Sequence, residues 1–327
     1  MKKFTIFANQ LKGLLKIVFK KETFVFWVEE YLFYPTSALQ IFTSFLLYPL
    51  SIIYSIIVLV KRITTKKMKY PIPVVSIGNL TIGGSGKTPF LISVASEYEN
   101  VAIISRGYGR TSKGLHVVSK FGKILCDIKT SGDEAMLFAL SLPKAIVIVS
   151  EDRVKAINYA CELGCRAVFL DDGFSKSNIE KFDILLRPEP EPRFNFTLPS
   201  GAYREPKFLY KFADIVANEN IDFTRKVTLQ NPTEKMLLVT AISKPKRLES
   251  YLPQNIIGKV YYMDHHMYTK IELEKLLKQY DASSILTTEK DRVKMKDFNL
   301  PLSILELHVE VNPDIKNKIN NYLSDFR

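Results

Sequence analysis

The run Thr81-Ile82-Gly83-Gly84-Ser85-Gly86-Lys87-Thr88 has the residue types of a phosphate-binding loop. Gly83, Gly84 and Gly86, with Ser85 between them, let successive backbone N–H groups converge on phosphate oxygens. Lys87 brings a cation to the β- and γ-phosphates, and the Thr88 hydroxyl suits a magnesium ion. The strict pattern begins with glycine, and Thr81 stands there instead. Elsewhere, Asp133 opens a helical run within Gly-Asp-Glu, Asp171 and Asp172 close an apolar stretch, and His265 adjoins His266 in a chain with 4 histidines. A carboxylate after an apolar strand is where phosphate-loop enzymes hold magnesium or its waters, which points to Asp171, with Asp172 beside it. Arg153 and Arg204 are cations suited to neutralising phosphate. Plainer readings accompany each: Asp133 as a helix cap, Asp-Asp-Gly as a turn, the histidines and arginines as solvated loop side chains.

The elements that would position these residues follow from short apolar runs. Pro71–Gly78 reads as a strand feeding the glycine-rich turn and a helix from Lys87. Val101–Ser105 is a second strand, Ser131–Leu142 a helix, Ala145–Val149 a strand, Glu151–Leu163 a helix and Arg166–Leu170 a strand. Five-residue apolar strands alternating with helices predict a phosphate-loop NTPase-like α/β fold, with a mainly parallel sheet and helices on both faces. A Pro- and Gly-rich loop spans Arg187–Pro206. A second alternation, through Lys235–Ile242, Lys259–Tyr262, Ile271–Tyr280, Ser283–Thr287 and Ser303–Val309, predicts a smaller C-terminal α/β domain. The expected division is therefore 1–70, 71–232 and 233–327.

Charge is concentrated at the start. Residues 1–70 carry eleven Lys or Arg (Lys2, Lys3, Lys12, Lys16, Lys20, Lys21, Lys61, Arg62, Lys66, Lys67, Lys69) against Glu22, Glu29 and Glu30, which is +8 of the net +12. Between them, Tyr31–Val60 has no charged residue, long enough to span a bilayer. Pro49 should interrupt it and start a new helix. The expectation is a membrane-associated helical segment, an interfacial hairpin favoured over a single span and over a buried helix, lying on an anionic membrane surface. No basic face interleaved with aromatic residues is visible, so nucleic acid is not an expected partner. Three cysteines without a CxxC pair or a histidine partner suggest neither a metal cluster nor a disulfide scaffold.

Read together, the motifs GNLTIGGSGKTP (Gly78–Pro89), SRGYGR (Ser105–Arg110), GDEA (Gly132–Ala135), EDR (Glu151–Arg153), DDGF (Asp171–Phe174), LPSGAYREP (Leu198–Pro206), DHH (Asp264–His266) and TTEKDRVK (Thr287–Lys294) resemble, in order and spacing, the tetraacyldisaccharide 4'-kinase family. Thr81 at the loop start matches that family too. The resemblance implies magnesium- and ATP-dependent phosphorylation of the 4'-hydroxyl of a tetraacylated glucosamine disaccharide 1-phosphate, the lipid A precursor. It also implies a site on the cytoplasmic face of a bacterial inner membrane. Asp133 then resembles the residue that activates the sugar hydroxyl, with His265 or His266 pairing with it, His265 being favoured by position. Lys87 and Arg153 join the catalytic group, and Tyr108, Arg204 and Glu205 would line the acceptor site. The family usually continues DDGF with Gln-His, whereas this chain has Ser175-Lys176. Two rivals remain: a membrane-recruited ATPase or GTPase switch, against which no guanine-specifying run stands at Thr288–Asp291, and a scaffold that binds nucleotide without transferring phosphate.

Overall fold

The computed structural model describes residues 21–83, 85–242 and 245–326. Gly84 of the phosphate loop and the basic residues Lys2, Lys3, Lys12, Lys16 and Lys20 lie outside the described residues. Two compact units divide the chain: the residues up to Ile63 with Pro190–Phe208, and Thr64–Glu189 with the chain from Leu209 onwards.

The first unit is built on α1 (Lys21–Phe33) and α2 (Ala38–Thr64). The break expected at Pro49 does not occur, because α2 runs through it as one helix. An interior proline costs about 3 kcal/mol through its missing N–H and its ring clash. The turns on both sides are pinned firmly enough to carry that cost. Ahead of Pro49, Thr36 N and Ser37 N donate to Gln40 Oε1 at 3.0 and 3.2 Å. Beyond it, Ser51 Oγ donates to Thr197 O at 2.7 Å and Tyr54 OH to Arg204 O at 2.8 Å. The buried side of α2 thus carries Gln40, Ser44 and Ser51, while Phe42, Leu46, Ile53, Ile57 and Val60 are exposed. A helix packed on a water-soluble core shows the reverse arrangement. Among the described residues α2 is the one helix long and apolar enough to cross a membrane.

In the second unit the chain runs through β1 (Val74–Gly78), α3 (Lys87–Ala95), β2 (Val101–Ser105), β3 (His116–Lys120), β4 (Lys123–Ile124), α4 (Ile128–Ser131), α5 (Asp133–Ser141), β5 (Ile146–Val149), α6 (Arg153–Glu162), β6 (Ala167–Asp171), β7 (Phe182–Arg187) and β8 (Ile215–Asn218). These form an eight-stranded sheet in the order β4-β3-β5-β2-β6-β1-β7-β8. From β5 to β8 every pairing is parallel, and only the β3–β4 hairpin runs against its neighbours. Successive strand residues point to opposite faces. Val75, Ile77, Ile103 and Val147 therefore enter the core under α3 and α5, and Val74, Ala102, Ile104 and Ile148 enter the core under α6. This is the expected α/β layering. Because β1, β2, β5 and β6 are parallel, the segments that follow them leave from one edge, where open α/β sheets place their ligands.

A second sheet comprises β9 (Phe223–Gln230), β10 (Met236–Thr240), β11 (Ile256–Tyr261), β12 (Ser284–Thr288) and β13 (Leu302–Val311), in the order β11-β10-β12-β13-β9. Its pairings are parallel except β13–β9. Helix α7 (Lys270–Tyr280) precedes β12, α8 (Glu289–Met295) follows it, and α9 (Pro313–Asp325) sends Ile315 and Ile319 back into the core beneath the first sheet.

Candidate active site

The phosphate loop joins β1 to α3 as the motif requires. Gly86 sits at the helix start with φ 83°, in the left-handed region, where a side chain would be strained. A Cβ there would also meet Arg225 Nη2 at 2.6 Å. This arginine lies on β9, is clamped by Glu219, with Nε 2.8 Å from Oε1, and points Nη2 toward Ser85 O at 3.4 Å. Lys87 Nζ donates to Asn79 Oδ1 at 2.9 Å and lies 3.8 Å from Asp172 Oδ1. The Ser85 hydroxyl is buried with no partner among the described residues. Thr81 is buried and Thr88 half-buried in the first turn of α3.

Asp171 ends β6 beside Ile77 of β1, and Ser105 Oγ from the end of β2 donates to its Oδ2 at 3.0 Å. Burial, reinforced by the charges of Glu134 and Asp172, raises its carboxyl to about 7. Asp172 turns out with φ 53° and is partly exposed next to Lys87. Arg153 is buried behind these strand ends. Its Nη1 donates to Ser150 O and its Nη2 to Asp171 O at 3.2 Å. The donor set fits a triphosphate with magnesium. It offers an orphaned hydroxyl in the loop, a lysine, and a buried carboxylate whose proton affinity is raised by burial and by the charges of Glu134 and Asp172. Among the described residues no cluster of three or more His, Cys, Asp or Glu could cage a metal alone. Magnesium is usually held by one or two carboxylates together with substrate phosphates.

A second group forms at the start of α5. Gly132 makes it possible. Its φ and ψ of 83° and 161° are open only to glycine, and a Cβ would stand 2.8 Å from Tyr108 O. The turn after β2 therefore lies directly on the helix start. There, His265 Nδ1 meets Asp133 Oδ1 at 3.0 Å and Oδ2 at 2.9 Å. His266 turns away, stacks on Tyr262 at 4.3 Å and meets Glu272. Two lysines of α8 complete the group. Lys294 Nζ is 3.2 Å from Asp133 Oδ2, and Lys290 Nζ is 3.9 Å from the same oxygen, 3.3 Å from Glu134 Oε1 and 3.4 Å from Asp264 Oδ1. Burial alone would raise the Asp133 carboxyl. The His265 hydrogen bond and the charges of Lys290 and Lys294 outweigh it and hold the group far below the ordinary carboxylate range. Lys290, buried among Glu134, Asp133 and Asp264, is held above the usual ammonium range by those charges despite its desolvation.

Tyr108 packs its ring 4.7 Å from that of His265 and is exposed. Arg204 and Glu205 belong to the unit that carries α2, where Arg62 Nη1 lies 3.1 Å from Glu205 Oε2. Lys176, at the position that departs from the family pattern, lines a cleft of about 380 Å³ with Glu151, Asp152, Arg153, Val154 and Asn178. Glu134, Asn79, Arg225 and Lys294 carry no site role from the sequence alone. Lys290 and Lys294 stand in the motif Thr287–Lys294, whose residues Thr288–Asp291 fit local capping and pairing at a strand end as readily as a place in the site.

A family model described as tetraacyldisaccharide-1-P 4'-kinase matches residues 43–325. The chain belongs to that family. It is 50% identical over 315 residues to the tetraacyldisaccharide 4'-kinase of Aliarcobacter butzleri, covering 94% of this chain and 100% of the relative. Identity to the Helicobacter acinonychis protein of the same name is 49% over 300 residues (92% and 96%), and to the Campylobacter jejuni protein 45% over 309 residues (94% and 99%). Among solved structures, LpxK from Aquifex aeolicus in complex with ATP is similar with a TM-score of 0.74 and 27% identity, covering 86% of this chain and 99% of that one. The chain is thus an ATP-dependent kinase of lipid A biosynthesis acting at the 4' position of the tetraacyldisaccharide 1-phosphate.

Proposed function

We propose that this kinase passes the γ-phosphoryl group of ATP to the 4'-hydroxyl with His265 as proton acceptor and Asp133 as the residue that orients it. The contact of His265 Nδ1 with both oxygens of Asp133 carries the reading. An ionised carboxylate only accepts hydrogen bonds, so Nδ1 bears the hydrogen and Nε2 keeps the lone pair that can take a proton. Asp133, kept anionic by its neighbours, is itself too weak a base for an alcohol. This division of labour differs from the one that the Gly-Asp-Glu motif suggests, in which Asp133 activates the hydroxyl directly.

Lys87 and the loop amides of Gly83, Gly84, Ser85 and Gly86 bind the phosphates, and Arg153 supports the strand ends through Ser150 O and Asp171 O. Thr88, Asp171 and Asp172 would hold magnesium, which when bound neutralises charge on the β- and γ-phosphates. The exposed Tyr108 ring faces the acceptor beside His265. The LPSGAYREP motif makes Arg204 and Glu205 candidates for its polar part. Residues 1–70 serve attachment, 71–232 the nucleotide, and 233–327 supply His265. An acceptor with four acyl chains stays in a bilayer, and the outward apolar side of α2 keeps the kinase at the same surface, with Lys61, Lys66 and Lys67 toward anionic headgroups. Use of ATP puts the site on the cytoplasmic face.

The test is transfer from γ-labelled ATP to tetraacyldisaccharide 1-phosphate in mixed micelles. His265→Gln and Asp133→Asn should each lower kcat by about 100-fold or more, the range for a general base, with ATP affinity nearly unchanged. Retention of kcat within about threefold in His265→Gln would remove His265 from the reaction.

A further inference from the structure

The contacts around Asp133 continue behind it into a closed ring. Lys294 Nζ reaches Asp133 Oδ2 at 3.2 Å on one side and Asp291 Oδ1 at 3.1 Å on the other. The other oxygen of Asp291 accepts from Thr240 Oγ1 at 2.7 Å, Ala241 N at 3.0 Å and Thr288 Oγ1 at 3.2 Å. Ala241 in turn accepts from His265 N at 3.3 Å through its carbonyl, and Tyr262 N donates to Thr240 O at 2.9 Å. His265 then closes the ring on Asp133. Its members come from α5, α8, the end of β10 and the turn after β11, so the ring joins the first sheet's helix layer to the second sheet.

Both inner members are completely inaccessible: the side chains of Lys294 and Asp291 are each 0% exposed. Lysine is almost never fully buried, and a buried ion pair is a poor device for stability, since apolar residues of similar volume do as well. Asp291 alone leaves a buried ammonium with three N–H donors short of acceptors, and the second carboxylate that Lys294 reaches is Asp133. The third partner, Asp133, is the residue whose placement the proton transfer needs.

We propose that Lys294, anchored by Asp291, is a positioning residue of the reaction, holding the Asp133 carboxylate against His265 Nδ1 and tying that pair to the end of β10. This rests on the reading of His265 as proton acceptor. Lys290 does not duplicate the role, because it is shared with Glu134 and Asp264 and lies farther from Asp133. Without Lys294, Asp133 loses its nearest cation and is free to rotate off the imidazole. The histidine then reverts to the Nε2–H form, which has no lone pair at the reacting position.

The test compares full-length wild type, Lys294→Met and the double variant Lys294→Met/Asp291→Asn in detergent micelles. The double variant removes both buried charges and keeps an acceptor for Thr240 and Ala241, so it holds its fold if the single variant does not. Side-chain 15N spectra report the tautomer of His265. With 4 histidines in the chain, its signals are assigned by their loss in His265→Gln. The expected result is an Nδ1–H signature in wild type that is lost in both variants. The KM for ATP should stay within about twofold and kcat should fall by about 100-fold, the scale of a misplaced catalytic group. A retained Nδ1–H signature with kcat within about threefold of wild type overturns the proposal, and His265→Gln then still reports whether the proton-acceptor reading stands. Loss of the signature with kcat intact overturns instead the reading of His265 on which it rests.

Discussion

Asp171→Asn should make the ligand-free kinase more stable at pH 8 while abolishing transfer. The Asp171 carboxyl titrates near 3.8 in an unfolded chain and at about 7 in the fold, raised by burial and then by Glu134 and Asp172. Between those values the folded state binds more protons than the unfolded one, so stability is greatest at low pH and falls as pH rises through about 7. Three units at about 1.36 kcal/mol each set a ceiling of about 4 kcal/mol. Relaxation around the charged form should halve it, leaving ~2 kcal/mol. Asparagine is neutral throughout and can still accept from Ser105 Oγ, so it removes the cost and keeps the contact. Thermal denaturation by circular dichroism, in detergent with EDTA, should show the variant melting roughly 4 °C above wild type at pH 8. The gap should narrow as pH falls below about 7 and close only below about pH 4, where Asp171 is protonated in the folded and the unfolded chain alike. A gap independent of pH, or a wild type more stable at pH 8, would refute the reasoning.

Gly132→Ala should cost about 1–3 kcal/mol in backbone strain and push the turn at Tyr108 away from α5. Denaturation midpoints and turnover measured together should both fall, because Asp133 follows directly. Glutamate at Leu46, Ile53 and Ile57 together should leave the internal hydrogen bonds of the first unit intact and weaken binding to anionic vesicles by at least tenfold in a flotation assay. Unchanged flotation would shift the membrane contact away from α2.

The parts of the fold visible in the sequence were those specified over short distances. Val74–Gly78, Val101–Ser105 and Ile146–Val149 are apolar runs bounded by turn residues, and the phosphate loop carries its own chemistry in eight consecutive positions. By contrast, β9 runs Phe-Thr-Arg-Lys-Val-Thr-Leu-Gln, half polar because one face of an edge strand is open, and was not anticipated. Pro49 misled because helix propensity is local, while the bonds that hold α2 together come from residues near 200. The same limit applied at the site. Asp133 and His265 are 132 residues apart, and only family resemblance linked them. Lys290 and Lys294 fit local capping and pairing equally well in sequence, since nothing in Glu-Lys-Asp-Arg-Val-Lys shows that its inner face meets a carboxylate from α5.

The first unit also imposes an order of assembly. During synthesis α2 emerges complete while Thr197 and its neighbours are still about 130 residues from being made, which takes roughly ten seconds. In that interval Ser51 and Tyr54 lack their partners Thr197 and Arg204, and the apolar side of the helix is already available to lipid. Attachment can therefore come first, with Pro190–Phe208 folding onto a helix that already has its orientation. Cutting α2 away would not release a clean soluble kinase. It would bare Phe194 and Phe196, which stack on each other and against Phe45 of that helix, and leave the carbonyls of Thr197 and Arg204 without their donors.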